Sequence, residues 1–302
     1  MSLTAVKIQV RKSLPVFVFD AGLFIWRNTI QRILLIFEKI KLQNFKYPKI
    51  TDLKYNDLNL KIKIDPANGF IDQYIFLHGV YEDYILDIIT KYLKPGSTFI
   101  DVGANIGQHS LYAAALLKVS GQVIAFEPVP SLFNQLQESV NLNKFPNVKI
   151  YNSACGKEFG SATIYTNHLN AGQSSIINKN GKNTTLVEVV KIDDLLSAEN
   201  NVSLIKIDVE GFEYDVLLGA QELIGRCKPV IIFEFSPSLY NLVDSQISEN
   251  ILNFLLARYN LIDIDDGQNP ITDKFEYLQN FNSRGRLQSN ILCLPKNMNN
   301  HE

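Results

Sequence analysis

The sequence predicts an α/β fold, in which a mostly parallel sheet carries helices on both faces. Two stretches, Thr98–Pro128 and Val202–Ile224, lead to this prediction. Each begins with an apolar run that suits a buried parallel strand, turns at an acidic residue and a glycine, and continues with helical periodicity. The chain is also long enough, at 302 residues with 46% hydrophobic content, for one large domain and an additional element.

Residues 1–57 are expected to form a basic, amphipathic helical extension. Residues 1–50 carry nine Lys or Arg against two acids, although the formal net charge of the chain is −2. A signal peptide is not expected, because Asp20 interrupts its only candidate apolar core. The simplest interpretation is a helix packed on the main domain. The alternative is a basic face that contacts a membrane surface or an anionic partner.

A β-hairpin and a helix are predicted next. Leu58–Ile64 alternates apolar and polar residues, and Phe70–Leu77 returns with apolar and aromatic residues, so the pair reads as a hairpin. Val80–Leu93 then shows helical periodicity. Glu82 lies at the start of this helix, where it either favours the helix dipole or contacts a ligand.

The first core unit combines a glycine loop with acidic strand ends. Thr98–Val102 runs into a loop bounded by Gly103 and Gly107, and the strand Gln122–Phe126 ends at Glu127. In a β–α–β unit both features reach the edge where open α/β sheets bind nucleotide-like ligands. Glycine allows the backbone to approach a ligand closely, and a terminal carboxylate can accept hydrogen bonds from both ribose hydroxyls.

The glycine spacing distinguishes between two classes of nucleotide cofactor. The dinucleotide fingerprint requires glycine at the first, third and sixth loop positions, which here hold Gly103, Asn105 and Gln108. An NAD-dependent oxidoreductase is therefore the less favoured alternative. The loop reads Asp-x-Gly-x-x-x-Gly from Asp101, a form that resembles the first motif of class I S-adenosylmethionine (SAM) methyltransferases. A structural turn without a ligand is the remaining alternative.

The next elements extend the sheet and add an insertion. Three residues follow the strand Val148–Tyr151, and they either hydrogen-bond an adenine edge or form an ordinary turn; they are Asn152, Ser153 and Ala154. Ser161–Tyr165 and Leu186–Ile192 are predicted strands of an insertion. The polar segment 168–183 between them is either a mobile substrate loop or a plain surface loop.

The second core unit brings three acids to the end of a strand, at Asp208, Glu210 and Glu213. If the sheet is parallel, they face the same crevice as Gly103 and Glu127. They are either solvated acids that favour a helix start or groups that meet the ligand or a substrate hydroxyl.

The carboxyl-terminal part is expected to complete the sheet. Pro229–Phe235 is a core strand with Glu234 near its end, and residues 246–258 form a helix. Tyr259–Ile264 and Gln288–Leu294 are predicted as a last strand pair joined by a long polar loop. Such a pair suits an antiparallel edge on a parallel sheet.

Composition excludes several classes of protein. The net charge of −2 argues against a nucleic-acid binder driven by bulk charge, and charges interrupt every long apolar run, so no membrane span is expected. Three widely separated cysteines in or beside apolar runs predict reduced, buried thiols in a cytoplasmic protein; they are Cys155, Cys227 and Cys293.

Four segments together resemble one known family. FIDVGANIG (99–107), FEP (126–128), LIKIDVEGFEYDVLLGA (204–220) and NILCLP (290–295) are similar to the pattern of the FkbM-type family of SAM-dependent methyltransferases. The resemblance covers about Val80 to Pro295. It implies a class I, Rossmann-like fold of seven core strands, the last antiparallel, and O-methylation of hydroxyls on sugars or polyketide-like natural products. The implied methyltransferase domain is 58–302, with the hairpin at 58–77 and the core at 80–295.

The same resemblance assigns roles to the cofactor-binding residues. The methionine end of SAM is implied to meet the glycine loop, at Asp101, Gly103, Ala104, Asn105 and Gly107. Glu127, with Pro128 beside it, is implied to bind the ribose, and Asp208 is implied to lie on the sulfonium side. The adenine is implied to contact Asn152, Ser153 and Ala154. Tyr81 and Glu82 match a Tyr-Glu pair that family members carry ahead of the glycine loop.

The chemistry expected at this site is in-line methyl transfer, for which the acceptor oxygen must be aligned behind the methyl group of SAM. An alcohol is a poor nucleophile at neutral pH, so a general base is expected to remove its proton. Asp208 and Glu210 are the leading candidates for that base. His109 is a third candidate and also reads as a structural histidine. Asp208 and Glu234 could hold a divalent cation, but no spacing demands one, so no metal is predicted. A catalytically silent SAM-binding or partner-binding module is the alternative function.

Overall fold

The computed structural model describes residues 38–167, 170–176 and 183–296 of the chain. The chain divides into two compact units, residues 1–47 and 48–302. In the first unit the described part contains a helix over 38–43. The basic amphipathic pattern predicted for the extension falls mainly on residues 1–37, outside the described residues, and so remains a prediction.

Strands and helices alternate through most of the second unit. The strands are β1 (Lys49–Tyr55), β2 (Leu58–Ile64), β3 (Thr98–Val102), β4 (Gln122–Phe126), β5 (Val148–Tyr151), β6 (Ala154–Cys155), β7 (Gly160–Asn167), β8 (Asn170–Ser175), β9 (Asn183–Val190), β10 (Val202–Ile207), β11 (Val230–Phe235), β12 (Tyr259–Asp263), β13 (Asn269–Ile271) and β14 (Ser289–Pro295). The helices are α1 (Phe70–His78), α2 (Asp83–Tyr92), α3 (Gln108–Leu117), α4 (Pro130–Asn143), α5 (Ile192–Leu195), α6 (Glu213–Gly219), α7 (Gln221–Cys227), α8 (Pro237–Tyr240), α9 (Ile247–Leu256) and α10 (Lys274–Ser283).

The central sheet confirms the predicted fold class. Its strand order is β13-β12-β14-β11-β10-β3-β4-β5. Strands β11, β10, β3, β4 and β5 run parallel to their neighbours in that series, whereas β14 is antiparallel to both β11 and β12. The sheet has eight strands rather than the expected seven, because Asn269–Ile271 adds a short strand at one edge.

Two apolar cores flank this sheet, because successive residues of each strand point to opposite faces. Ile100 of β3 packs into a core that contains Val216 of α6 and Ile251 of α9. The preceding residue, Phe99, packs into a second core with Ile85 of α2. The sheet is therefore covered by helices on both faces, and the ends of its parallel strands are left to form the site.

The predicted hairpin over 58–77 is wrong in its second strand. Leu58–Ile64 does form a strand, but it pairs with Lys49–Tyr55 through the two-residue turn at Asn56 and Asp57, and Asn56 takes a φ of +49° there. Phe70–Leu77 is helical instead. Its apolar residues show no strict alternation, so the strand prediction rested on composition more than on period.

Three further predictions need correction. The long polar loop before the last strand contains helix α10, and the polar segment 168–183 includes strand β8. The helical periodicity at the end of Val202–Ile224 corresponds to two helices, α6 and α7, divided at Ala220. At the end of α6, a Cβ on Gly219 would lie 2.0 Å from the Gly156 carbonyl oxygen. That close backbone contact places the helix break beside the inserted sheet.

The insertion forms a separate sheet of order β6-β9-β7-β8. Its strand β8 lies against the turn Pro66–Asn68 and helix α1. In the part of the chain that the structure describes, no helix has both the length and the apolar character to span a bilayer.

Candidate active site

A cleft of about 240 Å³ opens at the carboxyl ends of β3, β4 and β10. Most residues predicted for the site line it, namely Glu82, Gly103, Ala104, Asn105, Gly107, His109, Glu127, Pro128, Ser153, Ala154, Asp208 and Glu210. Glu127 and Asp208, whose convergence the site prediction requires, face this one cleft. Asp101 and Asn152 lie outside its lining.

Gly103 is the position where the loop requires glycine. Its φ is +84°, and a Cβ there would lie 1.8 Å from the carbonyl oxygen of Asp208. The Gly103 N–H donates to the Phe126 carbonyl at 3.0 Å. The glycine loop and the acidic turn after β10 therefore meet backbone to backbone, which brings residues about a hundred positions apart into one wall of the cleft.

Glu127 is held rigidly at the end of β4. Its Oε2 accepts the Asn105 N–H and its Oε1 accepts the Val129 N–H, both at 2.8 Å. Burial raises the pKa of Glu127 to about 7, although these two N–H groups oppose the rise. A carboxylate has further lone pairs beyond these two bonds, so it can still accept hydrogen bonds from hydroxyls in the cleft.

An ion pair between a buried lysine and a partly exposed aspartate lies at the acidic turn. The Nζ of Lys206 is 2.6 Å from Oδ2 of Asp208, and the lysine side chain is only 3% exposed. Burial by itself would lower the pKa of Lys206, but the carboxyl groups of Asp208, Asp101 and Glu82 outweigh it, and the pKa is raised. Lys206 therefore keeps its positive charge in the wall of the cleft.

Glu210 and Glu213 occupy different environments although they are three residues apart. Oε1 of Glu213 accepts the N–H groups of Val209 and Gly211 at 3.1 Å each, so this buried side chain closes the turn. Glu210 lines the cleft in a left-handed conformation with φ +53°. Burial, followed by the nearby carboxyl groups of Asp208 and Glu213, raises the pKa of Glu210 to about 8.

Comparison with known proteins identifies the family. The chain matches the methyltransferase FkbM domain over residues 101–260, more than half of its length. This protein belongs to the FkbM methyltransferase family. It is a SAM-dependent methyltransferase, and SAM is its cofactor.

The chain is similar to two curated relatives and to one solved structure. Methyltransferase 1 of Beauveria bassiana is 32% identical over 175 residues, which cover 51% of this chain and 67% of that protein. The hexuronic acid methyltransferase AglP of Haloferax volcanii is 25% identical over 154 residues, 50% of this chain and 61% of that protein. The crystal structure of an FkbM methyltransferase from Methylobacillus flagellatus aligns with a TM-score of 0.42 at 16% identity, covering 73% of this chain and 52% of that one.

The cleft of this FkbM methyltransferase contains polar groups that fit a nucleoside cofactor. Ser153 Oγ and His109 Nε2 are buried and have no hydrogen-bond partner among the described residues, and both residues line the cleft. A buried polar atom without a partner costs about 1–3 kcal/mol. A ligand with donors and acceptors, such as SAM, would remove that cost.

His109 is a neutral imidazole in the first turn of α3. It is 8% exposed, and burial, followed by the charge of Lys206, lowers its pKa well below the ordinary value. One nitrogen of a neutral imidazole carries a hydrogen and donates a hydrogen bond, and the other accepts one. It cannot supply a fixed positive charge to the cleft.

Asp101 and Asn152 stabilise the walls of the cleft from outside its lining. Asp101 is fully buried, and its Oδ2 accepts the Ser110 hydroxyl at 2.6 Å. Asn152 is exposed, and its Nδ2 donates to the carbonyls of Glu127 and Pro128 at 2.9 and 3.1 Å. The structure gives both residues contacts that fix the loop and the turn.

The residues ahead of the glycine loop contribute the opposite wall. Tyr81 donates its N–H to Oε1 of Gln108 at 2.8 Å, which connects it to the first residue of α3. Glu82 follows in a left-handed conformation with φ +47° at the start of α2. Its side chain accepts no N–H group of the helix, but its Oε1 accepts the Tyr84 hydroxyl at 3.3 Å. Tyr81 and Glu82 both line the cleft.

Three residues of the cleft were missed or only half recognised from the sequence. Lys206 stands inside an apolar strand, where an isolated charge rarely lies without a partner, and that position was the available signal. Glu234 lines the cleft at 7% exposure. Phe70 also lines it, but nothing in the sequence connects that residue with the glycine loop. Within the described ranges no group of three or more His, Cys, Asp or Glu is arranged to hold a metal ion.

Proposed function

We propose that this methyltransferase transfers the methyl group of SAM to a hydroxyl oxygen of a sugar or natural-product acceptor. When bound, SAM supplies a methyl group made electrophilic by its sulfonium. The protein must then position an acceptor oxygen and remove its proton. One relative is named a hexuronic acid methyltransferase, which supports a sugar-like acceptor.

The position and the pKa of Glu210 give the strongest support to this proposal. Glu210 lies on the cleft wall, and no described residue donates a hydrogen bond to its carboxyl group. Its pKa of about 8 is close to the value that a general base needs at neutral to mildly alkaline pH. Asp208 is paired with Lys206 at 2.6 Å, so its carboxylate is already committed to an ion pair. Glu210 accepts the acceptor's proton, and Asp208 provides fixed negative charge on the sulfonium side of the cleft.

The remaining cleft residues would hold the cofactor. The glycine loop from Gly103 to Gly107 presents backbone to the cleft, Glu127 offers a carboxylate for the ribose hydroxyls, and Ser153 with Ala154 borders the adenine side. His109 is the alternative base, because its neutral imidazole also lines the cleft. The pH dependence of turnover separates the two, since His109 is already neutral well below pH 6.5.

The test uses SAM labelled with ¹³C in the methyl group and a panel of sugars, uronic acids and polyketide-like alcohols. We expect a new methyl carbon with the chemical shift of a methyl ether, and a wild-type kcat/KM that rises through pH 8 as Glu210 ionises. Glu210→Gln should lower kcat by about 10²–10⁴-fold and remove that rise. Glu158→Gln, on an exposed side chain, is the matched control.

Two results would contradict the proposal. A label that appears on nitrogen or carbon would exclude O-methylation. Binding of S-adenosylhomocysteine without transfer to any acceptor would favour the catalytically silent module. If Glu210→Gln retains the wild-type pH profile, the base is another group, and His109 is the next to be tested.

We also propose a cytoplasmic location and a contact of the basic segment 1–50 with a membrane surface or an anionic partner. A cytoplasmic location is supported by the free thiols of Cys155, Cys227 and Cys293. Contact of residues 1–50 with a membrane surface or an anionic partner is supported only by the charge pattern of the sequence.

A further inference from the structure

The terminal NILCLP segment begins with Asn290, which belongs to a chain of hydrogen bonds that ends in the cleft. Its backbone N–H donates to Oδ2 of Asp265 at 2.7 Å, and its Nδ2 donates to the same oxygen at 3.3 Å. The same Nδ2 also donates to the hydroxyl oxygen of Tyr84 at 3.0 Å. The Tyr84 hydroxyl in turn donates to Oε1 of Glu82 at 3.3 Å. Four side chains from three segments are thus connected, and one of them, Glu82, lines the cleft.

The direction of each bond in this chain follows from the groups that make it. A carboxylate only accepts hydrogen bonds, so the Asn290 side chain turns its amide nitrogen, and not its carbonyl oxygen, toward Asp265. The other amide hydrogen occupies a lone pair of the Tyr84 oxygen, which leaves the single phenolic hydrogen for Glu82. Asn290 is 7% exposed, so water competes little for these bonds. The chain therefore orients one oxygen of the Glu82 carboxyl group.

Glu82 is held in a backbone conformation that residues other than glycine rarely adopt. Its φ of +47° lies in the left-handed region. Such residues persist only where the surrounding structure holds them, and they cluster at ligand sites. The bond from the Tyr84 hydroxyl to the Glu82 side chain and the bond from the Ile85 N–H to the Glu82 carbonyl, at 2.9 Å, supply that support.

Glu82 lies on the side of the acidic turn that is away from the carboxyl group of Glu127. Burial raises the pKa of Glu82, and the largest effects of neighbouring charges on it come from Lys206 and Asp208 rather than from Glu127. Glu127 is the acceptor proposed for the ribose, and Asp208 lies on the sulfonium side. The part of SAM beyond its sulfur is an amino-acid group with an ammonium, which donates hydrogen bonds and suits a carboxyl acceptor.

We propose that Asn290 and Tyr84 are positioning residues, which hold the Glu82 carboxyl group so that it accepts a hydrogen bond from the ammonium of the cofactor. Strand β14 thereby takes part in cofactor binding, although none of its residues, all of which the structure describes, lines the cleft. This gives a role to the terminal segment, to which the cofactor assignments give none. The inference depends on SAM binding and not on the identity of the methyl acceptor.

The experiment compares two ligands that differ at the amino-acid end. S-Adenosylhomocysteine carries the ammonium and the carboxylate, whereas 5′-methylthioadenosine has the same nucleoside and sulfur and lacks both. In calorimetric titrations of the full-length protein, Glu82→Gln should weaken S-adenosylhomocysteine binding about tenfold or more, and Tyr84→Phe about three- to tenfold. Asn290→Ala should resemble Tyr84→Phe. Binding of 5′-methylthioadenosine, measured by displacement, should stay unchanged, because a general loosening of the cleft would weaken both ligands.

Two further variants separate positioning from a structural effect. The double variant Glu82→Gln/Tyr84→Phe should bind S-adenosylhomocysteine as Glu82→Gln alone does, because Tyr84 acts through Glu82. Tyr55→Phe is the matched control, since it removes another tyrosine hydroxyl that donates to a carboxylate, Oδ1 of Asp87 at 2.7 Å, outside the cleft lining. It should leave the binding of both ligands unchanged.

Three outcomes would overturn the inference. Equal weakening of the two ligands by Tyr84→Phe would show that the hydroxyl only stabilises the fold. Additive effects of Tyr84→Phe and Glu82→Gln would show that Tyr84 does not act through Glu82. Unchanged S-adenosylhomocysteine binding by Tyr84→Phe would show that the hydroxyl does not position Glu82. None of these outcomes bears on the atom that is methylated, which the labelled-SAM test determines independently.

Discussion

At position 103 the absence of a side chain decides whether the site can assemble, because only glycine leaves room for the neighbouring backbone. A Cβ there would overlap the Asp208 carbonyl oxygen at 1.8 Å, and the backbone φ of +84° is strained for any other residue. Because the obstructing atom belongs to the backbone, the clash cannot be relieved by a side-chain rotation. The glycine loop and the acidic turn must then separate.

We therefore expect Gly103→Ala to destabilise the protein and to abolish S-adenosylhomocysteine binding, as measured by calorimetric titration and urea unfolding. Gly225→Ala is the matched control, because a Cβ there meets nothing within 4 Å and the residue lies inside helix α7. That substitution should stabilise the protein by roughly 0.5–1 kcal/mol. Equal effects of the two substitutions would show that the close approach at Gly103 does not matter.

Lys206 is the second residue on which the site depends. It is buried among carboxyl groups, so its removal leaves the Asp208 carboxylate without its partner at 2.6 Å. Breaking a buried ion pair in this way typically costs about 3–5 kcal/mol. Exposed pairs are worth about 0–1 kcal/mol, because water already solvates both charges.

Lys206→Met is accordingly expected to lower the free energy of unfolding, measured in urea, by about 3 kcal/mol, the low end for a buried pair because the Asp208 side chain is 30% exposed. The comparison is Lys61→Met, which breaks the pair with Asp52 where the two side chains are 52% and 36% exposed. That change should cost about 1 kcal/mol or less. A cost for Lys206→Met no larger than that of Lys61→Met would mean that the buried pair contributes no more than a surface one.

At the scale of elements, the sequence predicts the core strands well and the peripheral elements poorly. Thr98–Val102 and Val202–Ile207 are apolar runs with glycine turns after them, and burial on both faces leaves them no other stable arrangement. Phe70–His78 is different, because its apolar residues do not alternate strictly and Phe70, Tyr74 and Leu77 have the spacing of a helix, a signal that its aromatic composition concealed. For that reason the acids of the cleft could be predicted, whereas the aromatic side of the cleft could not.

Helix α10 begins with an N-cap that the sequence shows but that the loop prediction for this segment did not use. It begins after Asp273, whose Oδ1 accepts the N–H groups of Phe275 and Glu276 at 2.8 and 2.9 Å. Aspartate at this position is a strong N-cap. The segment was predicted as loop because the polar residues around it conceal a helix with only Phe281 buried.

We expect Asp273→Ala to destabilise the protein by about 1 kcal/mol, because two N–H groups lose their acceptor. Asp273→Asn keeps an oxygen at the same place and should cost much less. Neither change should alter S-adenosylhomocysteine binding, since Asp273 does not line the active-site cleft. Thermal denaturation and calorimetric titration measure the two quantities, and weaker cofactor binding by Asp273→Ala would show that helix α10 and the cleft are coupled.

At the scale of the whole molecule, the cleft brings together acidic residues from segments between Glu82 and Glu234. Burying these carboxyl groups disfavours their charged forms and so lowers the stability of the folded protein at high pH. Burial raises the pKa of Glu127 and of Glu213 to about 7, that of Glu210 to about 8, and that of Asp72, which lies outside the cleft lining, to about 6. Each group binds its proton more tightly in the folded protein than in the unfolded chain. Its contribution to stability is therefore present below its unfolded pKa and is lost as the pH rises through the folded value.

The cofactor-free protein should consequently be most stable near pH 5 and lose stability progressively up to pH 8.5. Lys206 keeps its charge throughout this range because its pKa is raised, so it does not oppose the trend. Urea unfolding at half-unit pH steps measures the slope. Glu210→Gln should make it shallower from pH 5 to about 8, because in this range the unfolded chain has lost the Glu210 proton and the folded protein still holds it. Glu158→Gln, on an exposed side chain, should leave the slope unchanged. Stability that stays level or rises from pH 5 to 8.5 would mean that water or counterions reach these acids in the folded state and that the cleft is less sheltered than its geometry indicates.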